Sequence, residues 1–238
     1  MEAILTLGEE PAQAAAKTRG APDAKWRQRA DANVPRATQG AASGLFTRHI
    51  STPMGAILAV GDDRGLLMLT FTQSVDTDGA INYVRRSHAM HSDSTVTESP
   101  DQMHLKTAAA ELAEYFAGKR RQFTVPLAIG GSGFACSAWA YLRTVPFGQT
   151  RSYGQQAQAM GVPGAARAAG RANGANLLPI IVPCHRIIAG SGAISGYNGG
   201  VARKQWLLEH EARVLKNVRA DDWNRPNAGF INQFPAHD

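Results

Sequence analysis

The sequence holds only two cysteines, Cys136 and Cys184, in 238 residues. Two thiols close at most one bridge, which is no disulfide framework, and cannot supply a structural zinc site of three or four thiolates. Both read as free thiols, so a reducing, cytoplasmic location is the expectation. Long apolar runs are also missing. The longest uncharged stretch, Gln122 to Leu142, is broken by Pro126 and by Gly130 to Gly133, and Leu177 to Cys184 is short and carries two prolines. A membrane-spanning helix needs about 20 apolar residues, so a membrane protein is excluded on this pattern. Residues 1–20 carry Glu2, Glu9 and Glu10 and no apolar core, so no secretory signal is expected.

What is present is a 44% hydrophobic chain, enough for a buried core, and a lopsided charge. Residues 139–216 hold nine basic side chains (Arg143, Arg151, Arg167, Arg171, Arg186, Arg203, Lys204, Arg213, Lys216) against Glu209 and Glu211, an excess larger than the whole chain's +6. A polyanionic partner and a solvated basic surface are both compatible with that block.

Residues 1–44 are rich in Ala, Arg, Gln and Pro and poor in aromatics, so they are expected to be a flexible tail. Folded sequence begins near Phe46. Residues 56–60 and 66–71 read as a β-hairpin around Gly61 to Gly65. A short helix is expected over 81–90, between loops at 74–80 and 91–102. The apolar spacing from Leu105 to Ala117 predicts a helix stopped by Gly118, followed by an extended stretch to Leu127. Gly130 to Gly133 marks a hinge, and a further helix spans 134–142. Ser152 with Gln155 forms a capping box for a helix over 153–160. Gly161 stops it, and Pro163 stands at the first turn of another helix ending near Gly174. Two short helices joined by a three-residue turn make a helix-turn-helix pattern. The second helix carries Arg167, Arg171 and Asn173 among small residues, side chains suited to DNA; an ordinary Ala-rich core helix is the competing reading.

The apolar run Leu177 to Val182 is strand-like and delivers Pro183-Cys184-His185-Arg186. A thiol attacks only as thiolate, so its ordinary pKa of about 8.5 must be overcome by a base or cation. His185 and Arg186 are adjacent in sequence, although neighbours often point apart. Cys136, on an apolar helix without a basic neighbour, reads as a packing residue.

Five blocks then combine: Arg167 to Asn176, Ile180 to Ile188, Gly196 to Gly200, Lys204 to Glu211, and Val145 to Thr150 with Ser152 to Gly154. Together with Thr52 to Gly55 they resemble the O6-alkylguanine-DNA alkyltransferases (methylated-DNA–protein-cysteine methyltransferases) of the bacterial single-function type, over about residues 46–216. The resemblance implies an α+β fold. A small N-terminal ribonuclease H-like β-sheet domain (45–129) precedes a mostly helical C-terminal domain (130–216) with the helix-turn-helix, and 217–238 form a tail. It implies Cys184 as alkyl acceptor, His185 as its base through a water, and Glu211 as orienter of His185. Asn176 ties recognition helix to reactive loop, and Tyr153 acts at guanine N3. Arg167 enters the duplex and fills the gap left by the extruded base, with Ala168, Arg171, Asn173 and Arg151 as further DNA contacts. Pro179, Val182, Ile187, Tyr197 and Asn198 line the substrate pocket, where the carbonyls of Cys184 and Ile187 read the exocyclic amine and the Asn198 amide faces O6.

The implied reaction is displacement at saturated carbon, which suits a soft thiolate. Its product is a thioether that water does not cleave at neutral pH. One transfer per molecule is therefore expected, with no metal or organic cofactor. The partner is double-stranded DNA carrying alkylated guanine, with O4-alkylthymine a second candidate, and the protein is expected to act as a monomer. A lesion-binding module without transfer and a Cys184–His185–Glu211 thiol hydrolase are the alternatives. The first leaves Cys184 unexplained and the second leaves Arg167. Three departures from the family pattern stand out. Gln156 replaces a usual leucine, which is expected to loosen the first helix; Ala135 replaces a glutamine; Arg171 replaces a small residue. His88, His91 and His104 lie in the smaller domain, where some relatives carry zinc, but the partner cysteines are missing, so no metal is expected.

Overall fold

The computed structural model describes residues 44–88, 90, 94–130 and 133–216. Apart from Gly44, the two expected tails lie outside these residues, as does His91.

Three apolar segments make the first sheet. Strands β1 (Gly44–Ile50), β2 (Ile57–Asp62) and β3 (Gly65–Phe71) pair antiparallel in sequence order, with Ile50 opposite Ile57 and Ile57 opposite Phe71. The β2–β3 turn is closed by Asp62, whose carboxylate accepts from the backbone N–H of Arg64 (2.8 Å) and Gly65 (3.2 Å), so the Gly/Asp turn of the expected hairpin is present. Strand β4 (Thr95–Glu98) adds parallel to β1, giving the order β3-β2-β1-β4. It falls in a stretch expected to be a loop. All four of its residues are exposed, so no apolar alternation betrays it.

Because side chains alternate along a strand, β2 serves two layers. Leu58 and Val60 pack with Ala80, Ile81 and Val84 of α1 (Thr77–Ser87), while Ile57 and Ala59 join Leu105, Ala108 and Leu112 of α2 (Met103–Phe116). Helix α1 starts before the expected 81–90. The Asp76 carboxylate caps it by accepting from Gly79 N–H (2.6 Å).

The second half is helical: α3 (Gly133–Thr144), α4 (Tyr153–Ala159), α5 (Ala166–Gly174) and α6 (Val201–Leu215). The capping box forms, with Gln155 N–H donating to Ser152 Oγ (3.1 Å) and Ser152 N–H to Gln155 Oε1 (2.8 Å). Two expectations fail here. Pro163 does not open the second helix of the pair. Gly164 takes φ +89°, a left-handed conformation that a right-handed helix cannot include, so α5 begins at Ala166 and the turn is longer than three residues. Residues 177–182 form no strand. They are bends and turns, buried from Leu178 onward, and Ile180 sits at φ 75°.

A two-residue parallel pair, β5 (Arg151–Ser152) with β6 (Ile187–Ile188), ties the start of α4 to the segment after Cys184. The two halves meet directly: Leu69 N–H donates to Leu177 O (2.8 Å), and one hydrophobic cluster runs through both.

Candidate active site

Cys184 opens a single 3₁₀ turn, Cys184–Arg186, immediately after Pro183. This turn is buried throughout, against α6. Asn176, at the end of α5, spans the gap to it. Its Nδ2 donates to Val182 O (2.8 Å) and to Cys184 Sγ (3.2 Å), while its Oδ1 accepts from Leu178 N–H (3.0 Å). These bonds pin the segment in which Ile180 is the only non-glycine with positive φ among the described residues. A β-branched residue there costs about 1–3 kcal/mol, so the surrounding contacts must hold it.

His185 points its Nε2 at Glu211 Oε1 (2.9 Å), both side chains being wholly buried. The carboxylate is acceptor-only, so Nε2 carries the proton and Nδ1 keeps its lone pair. Nδ1 is buried without a hydrogen-bond partner. Arg186 closes on the same carboxylate through Nε (3.2 and 3.1 Å) and Nη2 (2.9 Å), and its Nη1 donates to Val145 O (2.7 Å). Gly148 N–H donates to Glu211 Oε2 (2.7 Å) and Tyr115 Oη to Oε1 (2.9 Å). Gly148 is required at its position: φ is +73°, and a Cβ would lie 2.1 Å from Leu215 Cδ1.

The electrostatics follow from burial and neighbours. Burial pushes the Cys184 thiol up, and Asn176 and Lys204 offset this only in part, so the resting sulfur is a thiol. Burial lowers His185 against the pull of Glu211, leaving a neutral imidazole. Burial alone would raise Glu211, but His185 and Arg186 outweigh it and hold the carboxyl well below its usual range. The site is therefore a buried chain of thiol, neutral imidazole with a free lone pair, and fixed carboxylate.

Lys204 is wholly buried, and its Nζ donates to the carbonyls of Ile187 (2.6 Å), Ser195 (2.7 Å) and Gly196 (3.4 Å). Burial brings it down to about 8. Arg203 joins the loop to the sheet half: Nη1 donates to Gly199 O (2.9 Å), Nε to Met54 O (3.0 Å) and Nη2 to Gln73 Oε1, and the guanidinium lies 4.1 Å from the centre of the Phe71 ring.

Cys184, His185, Glu211 and Asn176 thus come together. Pro179, Val182 and Ile187 are buried around them, Tyr197 is half-buried with its hydroxyl unpartnered, and Asn198 is exposed. Tyr153 lies with its ring 5.8 Å from Lys204 Nζ and its hydroxyl donating to Ser195 O (3.4 Å); burial and then Cys184 raise its pKa. Arg167 and Arg171 are exposed on α5, with Ala168 half-buried between them, and half-buried Arg151 donates to Thr150 O (2.8 Å) and Gln149 Oε1 (3.0 Å).

Asn173 is a correction. It is 5% exposed and faces α4, where its Nδ2 donates to Gln156 Oε1 (2.8 Å) and its Oδ1 accepts from Gln156 Nε2 (3.2 Å), so it is not presented to a DNA groove. The same pair corrects the reading of Gln156, which is fully buried and fastens α4 rather than loosening it. The basic block also changes meaning, since Arg186, Arg203 and Lys204 are internal. His88 and His104 turn Nε2 to the carbonyls of Ala128 (3.0 Å) and Asp63 (3.2 Å). Sequence reasoning missed Tyr115, Gly148 and the structural roles of Arg186, Arg203 and Lys204. Gly148 and Lys204 stood inside recognised blocks, whereas the one signal for Tyr115 was a polar tip on an apolar helix face.

Comparison with known proteins matches both halves of the chain. A family model described as the ribonuclease-like domain of 6-O-methylguanine DNA methyltransferase matches residues 45–129, and one described as its DNA binding domain matches residues 133–213. A methylated-DNA–protein-cysteine methyltransferase of Salmonella typhimurium is 40% identical over 173 residues, 72% of this chain and 98% of the relative. One from Shigella flexneri is 53% identical over 106 residues, which cover 44% of this chain and 62% of that protein. The crystal structure of Mycobacterium tuberculosis OGT in complex with DNA superposes with a TM-score of 0.60 at 38% identity, covering 71% of this chain and 94% of that one.

Proposed function

The chain belongs to the 6-O-methylguanine DNA methyltransferase family, and from that premise we propose that it repairs DNA by moving the alkyl group of O6-alkylguanine directly and irreversibly onto Cys184. The observation that carries this reading is the buried Cys184–His185–Glu211 arrangement, with Asn176 on the sulfur and the His185 Nδ1 lone pair unclaimed. The thiol is protonated at rest, so it needs a base at the moment of attack. His185 takes that proton at Nδ1 through an intervening water, and Glu211 balances the imidazolium. Sγ attacks the alkyl carbon as the carbon–O6 bond breaks, and the electron pair leaves with the base. Tyr153 donates a hydrogen bond to guanine N3, which steadies the charge on the departing base, and its raised pKa keeps the phenol protonated for that role; the base finally takes up the proton that left Cys184. The thioether has no route back, so each molecule reacts once and needs no metal or organic cofactor.

O6 inside a stacked duplex is closed to in-line attack, so the nucleotide is extruded at a cost of a few kcal/mol. Exposed Arg167 fills the gap, Ala168 lets α5 approach, and Arg171 and Arg151 meet phosphates. The extruded base lies among Pro179, Val182, Ile187 and Tyr197, with the Asn198 amide toward O6 and the carbonyls of Cys184 and Ile187 toward the exocyclic amine. Double-stranded DNA with alkylated guanine is the partner, and the protein works as a monomer in the cytoplasm. The test is the intact mass after incubation with an O6-methylguanine duplex. One methyl adduct per molecule, located on Cys184, is expected. Binding without adduct, or repeated turnover, would overturn the reading. Cys184→Ala should lose transfer and keep DNA binding.

A further inference from the structure

We propose that Tyr115 is a positioning residue of the reactive centre: its hydroxyl holds the Glu211 carboxylate and takes a share of its charge, so that the sheet-bearing half of the chain sets the strength of the His185 base. This rests on the alkyl-transfer reading above and extends it to a residue outside the helical half. Tyr115 lies on α2, wholly buried, with Phe123 and Phe147 packed at ring distances of 5.6 and 5.9 Å. It grips α6 twice. Its hydroxyl donates to Glu211 Oε1 (2.9 Å), and its backbone carbonyl accepts from His210 Nε2 (2.9 Å). Two consecutive residues of α6 are therefore fastened by one residue of α2, which fixes the rotation of the helix that carries Glu211.

The oxygen that Tyr115 meets is the one facing His185. Oε1 accepts from Tyr115, His185 and Arg186, whereas Oε2 accepts from Arg186 and Gly148 N–H. A carboxylate oxygen shared among more donors offers less to each. The phenol therefore competes with the imidazole for Oε1. The other titratable or charged groups around the pair are Cys184 and Arg186 from the reactive turn, Lys204, His210 and Arg213 from α6, and Tyr197 from the loop before it. Of these, Arg186 donates to Glu211. Burial holds the Tyr115 hydroxyl well above its ordinary pKa, so it remains a donor through the working range.

Removing the hydroxyl returns Oε1 to His185 and makes the imidazole a stronger base. The acid limb of the transfer rate should then move to higher pH. The experiment compares the single-turnover rate of methyl transfer from an O6-methylguanine duplex, from about pH 5 to pH 9, for the full chain and for Tyr115→Phe. A rise of the limb's midpoint by about half to one pH unit is expected, with a three- to tenfold slower rate below it (~, by the tenfold-per-unit relation). A chain carrying 3-fluorotyrosine at position 115 has a more acidic, stronger donor, and its midpoint should move down. This second protein also carries the test should Tyr115→Phe show no cooperative unfolding transition. A midpoint that stays put in the substituted proteins, with or without a uniform loss of rate, would overturn the proposal, because a packing role slows transfer equally at every pH. If the unsubstituted chain forms no adduct at any pH, the alkyl-transfer reading has failed instead.

Discussion

Gln156 and Asn173 exchange two amide hydrogen bonds, of 3.2 and 2.8 Å, across the helix-turn-helix, and both side chains are buried. A third bond from Gln156 Nε2 reaches Ala138 O (3.3 Å) on α3, so one amide touches all three helices behind the exposed arginines. A buried polar pair of this kind is stable only when complete. Gln156→Leu is expected to leave the Asn173 amide unpaired and cost about 1–3 kcal/mol in urea unfolding. Gln156→Leu with Asn173→Leu should cost less than the sum of the single changes; strict additivity would show the pair to be uncoupled.

Glu211→Gln removes the charge shared by His185 and Arg186. The transfer rate is expected to fall about a hundredfold, since the imidazolium loses its counter-charge. Stability should fall by about 3 kcal/mol because Arg186 is left buried without its partner. Single-turnover kinetics and urea midpoints on the same preparation read both.

Acid should loosen the fold in a defined window. Burial holds His210 neutral, down to about 4, in a stack with Trp206 at 5.4 Å, and His185 is lowered as well. An unfolded histidine titrates near 6.5, so below about pH 6.5 the unfolded chain binds protons that the native chain refuses. Stability is then full above about pH 6.5 and declines as pH falls toward 4, by about 3 kcal/mol at most from His210. Urea midpoints at a series of pH values check this, and His210→Gln should flatten the slope.

Arg167→Ala is expected to slow repair of an O6-methylguanine duplex at least tenfold while leaving the reaction with a free O6-alkylated guanine within about twofold, because only the duplex has a gap to fill (roughly the few kcal/mol of unstacking). Equal losses on both substrates would move Arg167 from DNA insertion to the reactive centre.

Gly199→Ala would bring a Cβ to 2.8 Å from Phe71 Cε2 and 2.9 Å from Tyr197 Cε1. Phe71 is held in the sheet, so Tyr197 is the side chain that gives way. A change in the relative rates for methyl and larger O6-alkyl groups is expected, read by competition between two oligonucleotides.

Much of the chemistry was legible before any coordinate. Cys184 and His185 stood out from the chemistry of a soft nucleophile and its base, Asn176 and Glu211 came only from the family resemblance carried by the ordered sequence blocks, and hairpin, capping box and most helices follow from local patterns of turn residues, caps and apolar spacing. These are local signals, carried by residues a few positions apart. Other features depend on which atoms meet across long separations. Tyr115 and Glu211 are neighbours only because α2 packs on α6, and three of the nine basic residues counted toward a DNA surface are internal because the buried carbonyls and carboxylate need donors. Asn173 looked like a DNA contact from its helix and its chemistry, yet a buried Gln156 claims it. A short motif and a family resemblance point to the reactive groups. Tertiary packing decides their protonation, their partners and which charges reach solvent, because burial and pairing are properties of the folded environment and not of the residue.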